Sequence, residues 1–311
     1  MAGGVVTNTD SGLACPDWPT CFGSVVPKMA GNVAVEHTHR LIATAVGLLT
    51  VALVVLALRK AAAWMAGFSL LLLGGAIWAA RVKHVSGELP LAGALLVLAG
   101  FLGCAVVAWR RRSLECVALM LVIFQGLLGG LTVLYRLPTL VLVMHLGTSM
   151  LFLCVLLRIA LGRSLRGDGV AWLTTAAVYL QILLGATVRH TGAGLVCTDL
   201  PYCRGAWWPT GADVHPMVHL HMAHRAFAFV VLALVCWNAA RLWQRARFLA
   251  LAGPLLVVLQ IALGVLTILT FKDLVPLTAH LLVAALLLAD ELTLLTMAPA
   301  EAAPVLQEAA A

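Results

Sequence analysis

Gly12-Leu13-Ala14-Cys15-Pro16-Asp17, with Cys21-Phe22-Gly23 just beyond it, is written a second time as Gly194-Leu195-Val196-Cys197-Thr198-Asp199 with Cys203-Arg204-Gly205. The register is fixed, because 197 minus 15 and 203 minus 21 are both 182. Each copy is followed by a His-Arg pair, His39-Arg40 in the first and His224-Arg225 in the second. A further match lies downstream: Gln125, Gly129, Thr132 and His145 correspond to Gln260, Gly264, Thr267 and His280, all 135 positions apart. Leu-rich sequences agree by chance, but these matches rest on Cys, Gln, His, Arg and Asp. The chain is therefore read as two related halves.

Between the matched residues the sequence is overwhelmingly apolar. Hydrophobic residues make up 62% and charged residues 11% of the 311, and the mean hydropathy is +1.03. Soluble domains are roughly half apolar and a quarter charged, so the expected class is an all-α polytopic membrane protein. Taking about 20 apolar residues per crossing, we place nine spans near 35–58, 62–80, 91–109, 115–135, 139–160, 171–188, 217–240, 248–270 and 275–296.

The net charge of +7 does not point to a nucleic-acid partner. Basic residues gather at alternate loops: Arg59-Lys60, Arg110-Arg111-Arg112, Arg158 with Arg163 and Arg166, and Arg241 with Arg245 and Arg247. That is the positive-inside pattern. It makes those loops and the C-terminus cytoplasmic and puts the N-terminal cysteine segment and the 189–216 loop outside. Residues 298–311, rich in Ala and Glu, read as a disordered tail. Cys15 with Cys21 and Cys197 with Cys203 lie in a compartment that permits disulfides. A zinc site built from one pair and a nearby histidine is the alternative. Cys104, Cys116, Cys154 and Cys236 read as small apolar packing residues.

The repeat exposes two irregularities. Gly3 aligns with Gly185, so Met1 stands where the end of an opening helix is expected, and the first bundle is read as lacking that helix. His39 to His145 spans 106 residues whereas His224 to His280 spans 56. The surplus of 50 coincides with the spans near 62–80 and 91–109, an inserted two-helix hairpin at about 61–110. The expected division is 1–160 for the N-terminal half, 161–297 for the C-terminal half, and 298–311 for the tail.

Polar residues inside spans are costly and default to functional hypotheses. His39, His145, His224 and His280 each fall one to two turns into a helix entered from outside. Two histidines facing one another across a bundle can ligate haem iron axially, whereas zinc wants four ligands converging on one point. Two separated pairs suit two haems. Both pairs sit towards the outer side, which disfavours an electron relay across the bilayer. Arg40 and Arg225 are candidate contacts for propionates, with snorkelling as the plainer reading. Glu36 lies three residues before His39 and shares its helical face; the matching position before His224 is His221. A carboxylate beside one haem only places the chemistry in the first half, against the plainer reading of a carboxylate favoured by the helix N-terminus.

Several of these residues together resemble the haem A synthase family of terminal-oxidase biogenesis. They are Thr9-Asp10-Ser11-Gly12-Leu13 with Cys15-Pro16-Asp17-Trp18-Pro19, Glu36-His37-Thr38-His39-Arg40-Leu41, Gln125-Gly126-Leu127-Leu128-Gly129, His145-Leu146-Gly147-Thr148, Gly192-Ala193-Gly194-Leu195, His224-Arg225 and His280. The resemblance implies two four-helix bundles related by a pseudo-twofold axis, and an oxidoreductase that converts the C8 methyl of haem O to the formyl group of haem A. It implies a substrate haem held by His39 and His145, a haem b cofactor held by His224 and His280, and Glu36 assisting the oxidation with water as the oxygen source. The family's outer cysteine pair maps onto Cys15 and Cys21. Candidate partners are haem O synthase, the terminal-oxidase assembly apparatus, a quinone or other membrane electron acceptor, and a second copy of the chain. The expected location is a bacterial plasma membrane. Two other readings stand beside it: a bis-histidine b-type cytochrome passing electrons to quinone, and a haem carrier or assembly chaperone. A protohaem farnesyltransferase is disfavoured, since Asp-rich diphosphate-binding motifs are absent.

Overall fold

With no water in the hydrocarbon to satisfy peptide groups, a chain of this composition must close its backbone hydrogen bonds within each crossing. A computed structural model describes residues 1–298 apart from Arg166, and it is helical throughout its crossings. The tail beyond 298 and Arg166 lie outside the described residues. The helices are α1 (Ala2–Asn8), α2 (Gly31–Ala57), α3 (Arg59–Ser86), α4 (Leu91–Arg111), α5 (Leu114–Leu134), α6 (Thr139–Leu161), α7 (Gly169–His190), α8 (Pro216–Leu242), α9 (Arg247–Leu269) and α10 (Leu274–Met297). Among the described residues, nine of them, all but α1, are long and apolar enough to cross a membrane. Leu48, Leu56, Trp109 and Phe248 stand exposed on the outside of the assembly, as a lipid-facing surface requires.

The helix ends follow local chemistry. Ser113 and Asp168 cap α5 and α7 by accepting the amides of Cys116 and Ala171, and left-handed Gly87 and Gly162 close α3 and α6; both devices satisfy groups that a helix end leaves open. One boundary differs from expectation. Arg59-Lys60 reads as a loop, yet α2 and α3 are joined by Leu58 alone. α3 is also longer than its apolar stretch, running 28 residues, about 42 Å at 1.5 Å per residue. Its last turns carry Arg81 and Lys83, whose long side chains let a helix continue past the hydrocarbon.

In the second half α7 packs on α8, α8 on α9, α9 on α10, and α10 returns to α7, closing a four-helix ring. Around its axis Val178, Val231, Val235, Val257, Leu287 and Leu288 form one apolar core. The first half repeats three of those contacts, α1 on α2, α2 on α5 and α5 on α6. In it α1 occupies the place of the last two turns of α7, and it also packs on α10, joining the halves along with α6 against α7. All four helices that carry the repeated histidines, α2, α6, α8 and α10, begin at the end where the cysteine segments lie.

The hairpin α3–α4 packs mainly on itself and then against α2 and α5. Its seam is built from small residues, which let helix backbones approach closely where no hydrophobic effect drives them together. A Cβ added at Gly100 would fall 2.6 Å from Leu72 Cβ and 2.7 Å from the Phe68 carbonyl oxygen. Gly74 on the same hairpin faces open space. Gly100→Val is therefore expected to destabilise the protein by about 1–3 kcal/mol through overpacking, while Gly74→Val leaves it nearly unchanged. Thermal unfolding of both variants in one detergent checks this, and equal effects would refute the seam.

Candidate functional site

At the cysteine end, the two halves enclose one continuous cavity of about 1470 Å³. His39, His145, His224 and His280 all line it. Their places are matched: His39 and His224 are each the ninth residue of α2 and α8, while His145 and His280 are each the seventh of α6 and α10. The structure therefore brings the four repeated histidines around a shared hollow at one depth.

Each ring rests on a glycine of the neighbouring helix. A Cβ at Gly3, Gly129, Gly185 or Gly264 would come within 3.3, 3.4, 2.9 and 3.2 Å of Cε1 of His39, His145, His224 and His280, respectively. A Cβ would displace the ring at Gly185 and crowd it at Gly3 and Gly264, while at Gly129 it would just touch, so each ring lies against nearly bare backbone. His280 is also fixed in tautomer. Its Nδ1 lies 3.0 Å from the Gln260 carbonyl oxygen, which can only accept, so Nδ1 carries the proton and Nε2 keeps its lone pair. That is the arrangement of a metal-ligating histidine oriented through its other nitrogen. Gln181 ties α7 to the same region by donating to the His224 carbonyl at 2.9 Å.

The cysteine segments form the roof. Cys15 is joined to Cys21 and Cys197 to Cys203 as disulfides. The zinc alternative therefore falls, because both sulfurs of each pair are consumed; His37 packs beside the first disulfide without a free thiolate to share a metal. Each segment is folded around one aspartate. Asp17 accepts the Phe22 amide at 2.6 Å, the Gly23 amide at 2.9 Å and the Thr20 hydroxyl at 2.5 Å, and Asp199 accepts the Gly205 amide at 3.1 Å. Burial works to raise the Asp17 carboxyl, but the Thr20 hydroxyl and the Gly23 and Phe22 amides outweigh it and hold it below its ordinary value.

Arg40 and Arg225 turn out to be clamps on these segments. Arg40 donates to the carbonyls of Asp17 (2.8 Å), Thr20 (2.7 Å) and Cys15 (3.2 Å). Arg225 donates to those of Asp199 (3.0 Å), Tyr202 (2.9 Å) and Cys197 (2.5 Å), the same three positions one repeat on. The sequence reading offers these guanidiniums to propionates; the structure commits most of their donors to main-chain oxygens. Glu36 shares this task. It is buried, receives Arg40 Nη2 at 2.5 Å and the Cys15 amide at 2.7 Å, and still borders the cavity. In the second half His221 replaces it, accepting Arg225 Nε at 3.2 Å on its own Nε2.

Two cavity residues escape the repeat altogether. Arg189, in the last turn of α7, donates Nη2 to the Thr7 carbonyl at 3.2 Å, while its Nε is buried without a partner among the described residues. Lys272 stands in the turn before α10 and also lines the cavity. Burial, and then Arg189 nearby, push its ammonium below the ordinary lysine value, with Asp10 opposing. Neither has a basic counterpart in the first half, where Thr7 and Leu137 hold the matching positions. In the sequence they read only as basic residues at helix ends.

The fold and site define a multi-pass helical membrane protein with matched histidine pairs around one cavity under disulfide-bonded caps. The chain belongs to the cytochrome oxidase assembly protein family COX15-CtaA, whose family model matches residues 1–34 and 91–290. The stretch passed over, 35–90, overlaps the expected insertion and also takes in α2. The chain is 29% identical over 297 residues to the haem A synthase of Shouchella clausii, covering 88% of this chain and 82% of that one. It is 28% identical over 311 residues to the haem A synthase of Lysinibacillus sphaericus (92% and 86% covered). It is also 28% identical over 331 residues to that of Shewanella oneidensis (96% and 90% covered).

The Asp17 hydrogen bonds predict how the first cap responds to acid. A depressed folded value means that the carboxylate's contribution is fully present above the unfolded pKa of about 3.9 and lost as pH falls through the lower folded one. Asp17→Asn is expected to expose Cys15–Cys21, raising its rate of reduction by a water-soluble phosphine several-fold at neutral pH. The wild-type rate should approach the variant's only below about pH 4. Identical rates at neutral pH would refute the role.

Proposed function

We propose that this chain is a haem A synthase, an oxidoreductase that converts the C8 methyl of haem O to the formyl group of haem A. The observation that carries the reading is the set of four histidines, each seated on a glycine at a matched repeat position, in a member of the oxidase-assembly family. His39 and His145 hold the substrate haem O, and His224 and His280 hold a resident haem b. The family match omits α2, so the place of His39 is supported by the repeat and by its glycine contact, which mirrors that of His224.

The geometry at His280 suits the cofactor: its protonated Nδ1, bonded to the Gln260 carbonyl, leaves Nε2 for iron. When bound, haem b supplies one-electron redox chemistry at its iron. The protein's own residues position and neutralise. Arg189 and Lys272, with unused donors on the cavity wall, meet the carboxylates of the propionates, for which a guanidinium and an ammonium are apt partners. Glu36 sets a fixed negative charge on the first-half wall, held by Arg40 and the Cys15 amide. There it stabilises positive charge developing at the methyl carbon or orients an attacking water. With water as the oxygen source, conversion of a methyl to a formyl group releases four electrons and four protons, which a quinone or similar membrane acceptor must collect. The halves 1–160 and 161–297 divide these roles between substrate and cofactor.

The cysteine caps lie outside a bacterial plasma membrane and the arginine clusters inside, as the positive-inside bias requires. Haem O synthase and the oxidase assembly apparatus are the partners that deliver the substrate and receive the product. A transmembrane electron relay would separate its histidine pairs between leaflets; here all four lie within nine residues of the cysteine-end start of their helices.

Expression beside a haem O synthase in a host without haem A, followed by chromatography of extracted haems, is expected to yield haem A; its absence would overturn the reading. Glu36→Gln keeps an acceptor for the Cys15 amide but removes the charge. It is expected to retain haem while haem A yield drops by about two orders of magnitude, with haem O or a hydroxylated intermediate accumulating. An undiminished yield would remove Glu36 from the chemistry.

A further inference from the structure

At the other end of the second bundle, a polar layer is sealed between two apolar ones. Towards the cavity lie Val178, Val235, Val257 and Leu288; towards the arginine end lie Ala171, Leu242, Leu292 and Leu295. Between them Asp290 and Glu291 project from α10, Asn238 from α8 and Thr175 from α7, all buried, with Asn238 and Glu291 fully enclosed. Gly253 of α9 leaves the space they share: a Cβ there would lie 3.0 Å from Asp290 Oδ2 and 3.1 Å from Glu291 Oε1.

The bonding in this layer is incomplete in a particular way. Asn238 Nδ2 donates to Glu291 Oε2 at 2.8 Å. Asn238 Oδ1, Glu291 Oε1 and Asp290 Oδ2 are buried with no partner. All three are acceptors, so what the layer lacks is a donor. None of the packed elements supplies one among the described residues. α9 carries no charged residue but Arg247 at its start, α1 carries no charged side chain, and α7 offers only Tyr179 besides its end residues Arg189 and His190. α6 brings Cys154 and, a turn further on, Arg158, which pairs with neither acid. Arg241, one turn below Asn238, is committed to Asp168. Ionisable groups in a span mark proton or ion paths by default, and two adjacent carboxylates without a cation cannot both stay charged in hydrocarbon.

We propose that Asp290, Glu291 and Asn238 form an intramembrane proton-binding site belonging to the second bundle. The two carboxyl groups hold one proton between them at rest, and its O–H supplies a donor to a layer whose orphaned atoms are all acceptors. The first half has no copy, since Leu53, Val155 and Leu156 stand at the positions matching Asn238, Asp290 and Glu291. The site thus goes with the half that holds the resident cofactor, an assignment that rests on the function proposed above. His280 lies ten residues from Asp290 along α10, about 15 Å, close enough for charge coupling through apolar packing. Were a haem held by His224 and His280 to take up one electron, the remaining carboxylate would take up one proton from water, –COO⁻ becoming –COOH, and the net charge of the bundle would be unchanged.

Infrared spectroscopy of the full-length protein in lipid vesicles tests the site without reference to activity. The wild type is expected to show a protonated-carboxyl C=O band at pH 7, well above the values near 4 of aqueous Asp and Glu. The band should shift in D2O and vanish in Asp290→Asn/Glu291→Gln, whose amides preserve shape and hydrogen bonding. A wild type without the band at neutral pH, a band that sodium ions abolish, or a band surviving in the double variant would each overturn the proposal. Potentiometry of protein carrying haem b alone should show a midpoint that falls as pH rises, with that slope lost in the double variant. An unchanged slope would overturn the coupling while leaving the infrared result to judge the site.

Discussion

An imidazole inside a bilayer needs room beside a neighbouring helix, and in this protein the room comes from absent side chains. The four glycines beneath the histidine rings let each ring lie against a bare backbone, so the depth and spacing of the rings follow from helix packing rather than from flexible side chains. Because the contacts pair α1 with α2, α5 with α6, α7 with α8 and α9 with α10, the cavity is an outcome of how adjacent helices meet. The apolar core below it fills the space where no such glycine stands. This also explains why α1, though only seven residues long, has a defined place: it carries Gly3, the glycine that His39 requires.

Above the rings, the caps are held from within by charge-assisted bonds. Each arginine follows its histidine directly in sequence, and each reaches three carbonyls of the cysteine segment. Main-chain carbonyls of the cysteine segment are satisfied by a group already anchored beside the histidine. The cap is thus bonded directly to the residue next to the histidine. Where the halves diverge, at Glu36 and His221, the same arginine is retained and only its partner changes.

Much of this was legible in one dimension. Crossings are written as hydropathy, and the nine expected spans lie within the nine long helices to within a few residues. The histidines were legible because the repeat puts them in register. What could not be read depends on contacts between distant segments. Gly129 and Gly264 show in the sequence as matched positions, but that they support rings follows only from the packing of α5 on α6 and α9 on α10. Arg40 and Arg225 look like propionate partners because nothing in the sequence says that the cysteine segments fold back over them. The α2–α3 junction was misplaced for a local reason: Arg59-Lys60 has the composition of a loop, yet a single residue makes the turn. Asp290 and Glu291 stand in plain view in the last span, whereas the orphaned oxygen of Asn238 that gives them meaning comes from a helix 50 residues earlier.

The exchange of Glu36 for His221 does more than mark which half reacts. In the first half the arginine clamp is neutralised by a carboxylate 2.5 Å away. In the second, a ring nitrogen that accepts a bond from Arg225 must be unprotonated, so the imidazole is neutral and the guanidinium has no carboxylate bonded to it on its own helix. Arg189 and Lys272, which come from the second half of the chain, add two cations to the same cavity where it meets the first half. In a low-dielectric site such charges are weakly screened and favour whichever redox state of a nearby iron carries less positive charge. On the proposed assignment, the exchange of a carboxylate for a neutral ring makes the wall around His224 and His280 the less negative of the two, which suits an electron-accepting haem there. Near-identical histidine geometry is thus given different electrical settings by one substitution in the repeat and two residues outside it.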